Sequence, residues 1–175
     1  MDMLRTTLPR FPTSLLLLVV ALVSCTDGIS QRVSDPAFQQ KLNGLLSNDV
    51  PAVDVPALDT LHAPVFLDAR EREEYDVSHL PAARWVGYKS FDPALVKDLP
   101  KDTLLVVYCS VGYRSERVTE QLRKAGFRNV YNLVGGIFEW VNTDHTVVDE
   151  KGPTPRVHAY DKDWGRWVVK GERVY

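Results

Sequence analysis

"TLLVVYCSVGYRSERVTEQLRKAGF", residues 103–127, decides the fold. Its apolar run, Leu104 to Tyr108, has the length and composition of a strand buried on both faces. A short loop with Gly112 leads into an amphipathic helix from about Ser115, with Val118, Leu122 and Ala125 on one face. Arg123 and Lys124 suit the end of that helix, and Gly126 suits a left-handed cap. In an open α/β sheet, ligands bind beyond the carboxyl ends of the strands. Cys109 falls at that edge. The helix start points unpaired N–H groups and its dipole at the same place, which favours an anion. Gly112 permits a positive φ, which gathers successive N–H groups onto one centre. A thiolate is an anion, so the setting favours an ionised, nucleophilic Cys109. Arg114 adds a fixed charge, either toward a substrate or clamping the loop. Ser110 and Ser115 suit turn and cap positions, while Val111 and Tyr113 shape the rim. The competing reading is an ordinary strand-to-helix turn ending in an inert small residue.

Outward from this segment, types alternate. "SDPAFQQKLNGLLSN" reads as a helix capped by Ser34 or Asp35, with a stripe of Phe38, Leu42, Leu45 and Leu46. A short strand near Val53 to Val55 and a short helix from Pro56 follow. "PVFLD" is a strand, "AREREEYDVSH" begins with a helical turn, "ARWVGY" is a strand and "FDPALVKDL" a short helix. After the central segment, "NVYNLV" is a strand and "GGIFEWV" turns into a last helix. The alternation predicts an α/β domain over residues 34–141, with a mainly parallel sheet covered on both faces. Residues 142–175 form an extension packing on it. Within that extension "WGRWVVKGERVY" suggests a terminal hairpin turning at Lys170-Gly171, its tryptophans covering an edge.

Composition narrows the function classes. The 175 residues are 45% hydrophobic and 25% charged, with a net charge of −2. Acids and bases are interspersed, which gives no expectation of nucleic-acid binding. His62, His79, His145 and His158 do not cluster, and two cysteines are too few for a structural zinc site. No metal is expected. At the N-terminus, Arg5 and Arg10 precede "FPTSLLLLVVALVSC", an apolar stretch of signal-peptide length. "LVSC", Leu22 to Cys25, resembles the lipobox of bacterial lipoproteins. The resemblance implies that residues 1–24 are a signal peptide, that Cys25 is acylated, and that residues 25–33 are a tether. Thr26, in place of aspartate, then implies an outer-membrane anchor facing the periplasm. A plain secretory signal and an uncleaved anchor are the other readings. With Cys25 lipidated, Cys109 is the sole free thiol.

"YCSVGYRS" resembles the active loop of rhodanese domains, Cys-x-x-Gly-x-Arg. "FLDARE", "EY", "SHLPAARWV" and "AGFRNVYNLVGGIFEW" resemble that family's flanking segments in the same order. The likeness runs from about Val53 to Val141; Ala82 stands where the family commonly has glycine. It implies a three-layer domain with a five-stranded sheet and a sulfurtransferase mechanism without cofactor. Cys109 would take sulfane sulfur from a small sulfur-containing anion, or from a persulfide, and pass it to a thiol or cyanide. Residues 110–115 would hold the substrate. The likeness makes Arg70 a contact for an anionic donor, or else half of a structural ion pair. Asp68 would orient neighbours, pairing with His79, and His79 is a weaker candidate base. Phosphatase and arsenate-reductase loops resemble this one but carry one more residue between cysteine and arginine. A third reading is a sulfide-carrying or protein-binding module without turnover.

Overall fold

The computed structural model describes residues 32–175. The signal segment and Cys25 lie outside the described residues. Five parallel strands form the sheet: β1 (Ala52–Val53), β2 (Val65–Asp68), β3 (Arg84–Trp85), β4 (Leu105–Tyr108) and β5 (Val130–Leu133). Their order is β1-β5-β4-β2-β3, so the fully buried apolar run sits at the centre. Strand alternation sends its side chains to two cores. Val106 and Tyr108 join Phe38, Leu42, Ile137 and Phe138 on one face. Leu105 and Val107 join Val118, Leu122 and Phe127 on the other. Each such apolar burial contributes roughly 1.5–3 kcal/mol.

Helices cover both faces, as the alternating pattern predicts. α1 (Pro36–Asn43), α2 (Val55–Leu58) and α5 (Gly136–Asn142) supply the first core. α4 (Tyr113–Lys124) and a 3₁₀ turn at Pro93–Val96 supply the second. The Asp35 carboxylate caps α1, accepting from the N–H groups of Ala37 and Phe38 at 2.7 and 3.3 Å. α1 stops at Asn43, short of the predicted stretch, although Leu46 still reaches the core. The predicted "ARWVGY" strand contracts to two residues, and α4 begins at Tyr113, two residues before Ser115. α3 (Arg72–Val77) follows β2.

Strand order places the site. From β2 the chain leaves toward β3, and from β4 it leaves toward β5 on the opposite side. Connections that diverge in this way leave a crevice between the carboxyl ends of two neighbouring strands. Asp68 and Tyr108 are paired across that point, and Cys109 follows immediately.

The extension departs from the predicted hairpin. β6 (Val147–Asp149) and β7 (Gly152–Thr154) form an antiparallel pair. β8 (Arg156–His158) and β9 (Glu172–Val174) pair in parallel, joined through the short helix α6 (Lys162–Gly165). The reason lies in the tryptophans. Trp164 and Trp167 both pack on the first core, and Trp167 stacks on Phe38 at 5.2 Å. Residues three apart share one face of a helical turn but opposite faces of a strand. Covering one core with both rings therefore requires a turn where the hairpin's first strand would run. Asn142, at the end of α5, fastens the segment, donating to the Trp167 carbonyl at 2.8 Å and accepting from the Val169 N–H at 2.9 Å.

Ala82 is exposed and has a φ of 58°, in the turn closed by the Ala83 N–H donating to the Leu80 carbonyl at 3.0 Å. With Pro81 second and a positive φ third, the turn needs what only glycine adopts without strain. Ala82→Gly should therefore stabilise the chain by about 0.5–1 kcal/mol, read as a higher denaturant midpoint at unchanged slope. A lower midpoint would contradict the strain.

Candidate active site

Two sets of backbone hydrogen bonds shape the cysteine loop. On the side of the sulfur, the Gly112 N–H donates to Cys109 Sγ at 3.1 Å. Gly112 has the positive φ that its place in the sequence suggested, 116°, and it caps α4, a role the sequence offered to Ser110 or Ser115. On the other side, the carbonyls of Cys109, Ser110 and Val111 accept from the N–H groups of Ile137, Phe138 and Gly135, at 2.9, 3.2 and 3.2 Å. The start of α5 is thus spent on the loop's oxygens. With those oxygens turned away, the loop's N–H groups are left for the sulfur. Ser115 Oγ stands 3.5 Å from Sγ and 2.6 Å from Asn132 Oδ1. It carries a single proton, which growing charge on the sulfur would draw toward Sγ. Asn132 Nδ2 holds the Gly112 carbonyl at 3.0 Å.

Arg114 clamps the loop. Its guanidinium forms a two-pronged ion pair with Glu74 at 2.5 and 2.7 Å and donates to Ser110 Oγ at 3.0 Å. Ser110 Oγ in turn donates to Glu74 at 3.2 Å. Burial pushes the Glu74 carboxyl up, but the bonds and charge of Arg114, helped by Arg70, outweigh it and hold the group below the usual carboxylate range. Arg114 still lines the site, so the loop keeps a guanidinium at its rim.

The loop floors a pocket of about 380 Å³, walled by Tyr88, Lys89, Tyr113, Arg114, Tyr160 and Trp164. Cys109 is 1% exposed at its base. Tyr160 and Trp164 come from the extension, and the Tyr160 ring lies 5.2 Å from the Arg114 guanidinium carbon. The Tyr160 N–H donates to His158 Nδ1 at 3.1 Å.

The predicted residues divide into two groups. Cys109, Ser110, Val111, Tyr113 and Arg114 line the pocket, while Gly112 and Ser115 support the sulfur from below. Asp68, Arg70 and His79 stand apart. Arg70 is wholly buried and bonds Asp68 at 2.7 Å and the Ser78 carbonyl at 2.6 Å. It is half of a structural ion pair, and the expected contact with a donor is corrected accordingly. Asp68 pairs with Arg70 and not with His79: its carboxylate accepts the Arg70 backbone N–H at 2.9 Å as well as the guanidinium at 2.7 Å. His79 stacks on Tyr75 at 3.9 Å, donates Nδ1–H to the Tyr75 carbonyl at 3.1 Å and is not among the residues that line the pocket. Sequence reasoning missed Glu74, Asn132, Tyr160 and Trp164. Only Asn132 carried a signal: an amide inside an apolar strand needs buried partners.

Fold and site together define a parallel α/β domain with a single thiol cradled by a backbone loop at its switch point. The chain belongs to the rhodanese-like domain family, whose model matches residues 56–143, half of the sequence. It is 32% identical over 117 residues to tRNA uridine(34) hydroxylase of Sodalis glossinidius, covering 64% of this chain and 32% of that one. It is 30% identical over 88 residues to the adenylyltransferase and sulfurtransferase uba4 of Ogataea parapolymorpha, covering 50% and 23%. The chain thus spans about a quarter to a third of these curated relatives. Among solved structures, the BH2092 protein of Bacillus halodurans shares the fold at a TM-score of 0.53 and 22% identity, over 66% of this chain and 86% of that one.

Two outcomes follow from this geometry. A Cβ on Gly136, whose φ is 53°, would lie 2.2 Å from the Cys109 carbonyl oxygen. Gly136→Ala should cost at least about 1–3 kcal/mol of stability and distort the loop; a variant as stable as the parent would show that α5 does not set it. The second outcome concerns pH. Burial holds the His158 imidazole below its usual range, Arg70 and Arg114 add to this, and Glu74 and Glu73 oppose it. A histidine depressed in the folded state contributes stability above its unfolded value, ~6.5, and loses it as pH falls through the folded value. Between pH 7.5 and 5, wild type should therefore lose stability relative to His158→Asn, which keeps an acceptor for Tyr160. A constant difference across that range would contradict the assignment.

Proposed function

We propose that the chain is a sulfurtransferase that carries sulfane sulfur as a Cys109 persulfide. The observation that carries the reading is the Gly112 N–H on Cys109 Sγ at 3.1 Å, in a loop whose carbonyls face away. The Cys109 thiolate attacks the outer sulfur of thiosulfate. A new S–S bond forms, the sulfur–sulfur bond of the donor breaks, and sulfite leaves with the electron pair. The persulfide anion is then held by the loop N–H groups, with Arg114 at the rim. A thiolate or cyanide attacks the outer sulfur and regenerates the Cys109 thiolate. The two half-reactions balance without an added oxidant or reductant. Four residues between Cys109 and Arg114 make the loop one shorter than the phosphatase-like pattern, which favours a small sulfur group over a tetrahedral oxyanion.

The full chain in detergent, incubated with thiosulfate and then desalted, should gain one sulfur atom by intact mass and lose it to cyanide as thiocyanate. Cys109→Ser should gain none, because a hydroxyl is neither acidic nor soft enough. Loading without turnover would instead favour a carrier. Rapid aryl phosphate hydrolysis without any sulfur gain would favour the phosphatase reading.

Attachment to a membrane through an acylated Cys25, on the periplasmic face of the outer membrane, is part of the same proposal. It is supported by "LVSC" after the apolar stretch that ends there. Cys25→Ala should abolish labelling by a fatty-acid probe in cells while the variant still takes up sulfur. Persistent labelling would overturn the anchor.

A further inference from the structure

The family match ends at residue 143, yet Tyr160 and Trp164 wall the pocket above Cys109. Their placement is held in place at a cost. Tyr160 has a φ of 66°, a conformation that bulky side chains rarely adopt. Such strain persists where surrounding structure over-determines it, and it clusters at ligand sites. Here the His158 Nδ1 holds the Tyr160 N–H, and the Arg114 guanidinium carbon lies 5.2 Å from the ring. The residue gains little burial in return, being 51% exposed. Trp164 is held by the N-cap of α6, where the Asp161 carboxylate accepts its N–H at 2.8 Å, and by Lys41 5.3 Å from its ring. Tyr88 and Tyr113 complete an aromatic wall, and Lys89 adds a cation 3.9 Å from the Glu71 carboxylate, which lines the pocket too. A volume of about 380 Å³ is in the range of sites for organic ligands and far exceeds what a four-heavy-atom oxyanion or a bare thiosulfate fills.

We propose that Tyr160 and Trp164 are specificity-determining residues, and that they receive the apolar body of an organic sulfane-sulfur donor while its terminal sulfur meets Cys109. The inference rests on the sulfurtransferase reading and names its substrate class. The chemistry that fits is an anionic sulfane sulfur borne on an aryl or larger alkyl group. With a thiosulfonate, the Cys109 thiolate attacks the terminal sulfur. The bond from that sulfur to the sulfonyl sulfur breaks, and the sulfinate leaves with the electron pair. The organic group stays between the rings throughout, so the rings act on binding and positioning and not on the bond being broken.

The test uses two donors of the same chemical type, benzenethiosulfonate and methanethiosulfonate, with cyanide as acceptor and the full chain in detergent. Wild type should prefer the phenyl donor in kcat/KM. Tyr160→Gly removes the ring and relieves the backbone strain, so it should not melt earlier than wild type. It should lower the phenyl-to-methyl ratio by about three- to tenfold, mainly through KM. Trp164→Leu keeps an apolar side chain at its position and should lower the ratio similarly. An unchanged ratio in both variants, with Cys109 still gaining sulfur from thiosulfate, overturns this inference and leaves the sulfurtransferase reading standing. Failure of wild type to gain sulfur from any of the three donors overturns both. A lower ratio accompanied by earlier melting of Tyr160→Gly would mean that the ring serves the fold, and would also overturn it.

Discussion

Three consecutive carbonyls, those of Cys109, Ser110 and Val111, accept backbone N–H groups from Gly135, Ile137 and Phe138. The rest of the site depends on this docking. A peptide plane that turns its oxygen one way turns its N–H the other. Tying the oxygens to the start of α5 leaves the opposite side of the loop as a donor surface, and the Gly112 N–H already uses it. The docking requires close approach, which is why Gly136 has no room for a Cβ. It also requires β4 and β5 to be neighbours, since β5 delivers α5 to the loop. The central position of the apolar run and the chemistry of the thiol are therefore one constraint seen at two scales.

Buried polar groups then fix what the backbone leaves free. Asp68 and Arg70 form a wholly buried ion pair beside the end of β4. Removing one partner of such a pair costs about 3–5 kcal/mol, because the other charge is stranded. Glu74 and Arg114 form a second pair that reaches the rim and gathers Ser110 between them. Ser115 and Asn132 bridge the start of α4 to β5. The last two connections join the loop to different elements, so with its docked carbonyls the loop is held from α3, α5 and β5 at once. Rigid placement of N–H donors is what lets them stabilise an anion without reorganising.

The sequence made the strand, loop and helix around Cys109 readable because each obeys a local rule: an apolar run, a glycine at a positive φ, an amphipathic stripe. Strand alternation with helices likewise yields the sheet type. What lay hidden depends on contacts distant in the chain. Glu74 is one acid among several in "EREEYD", and nothing local marks it as the one that meets a residue 40 positions later. Arg70 looked like a ligand for a substrate because an arginine at a strand's carboxyl edge can turn either way, and only the Asp68 carboxylate two residues back decides it. The extension misled for a physical reason. Lys170-Gly171 suits a hairpin, but the joint burial of Trp164 and Trp167 outweighs the turn propensity. Tyr160 and Trp164 reach the site from beyond the family match, where no motif announces a role.

The central claim is that the backbone loop, and not a side chain, holds the transferred sulfur. The most direct measurement is a crystal structure of the chain after exposure to thiosulfate. The account predicts a second sulfur atom on Cys109 Sγ, within hydrogen-bond reach of the N–H groups between Val111 and Ser115, with the carbonyls of residues 109–111 still docked on α5. A sulfur atom bound to the Arg114 guanidinium and free of those N–H groups, or a loop whose carbonyls had left α5, would contradict it.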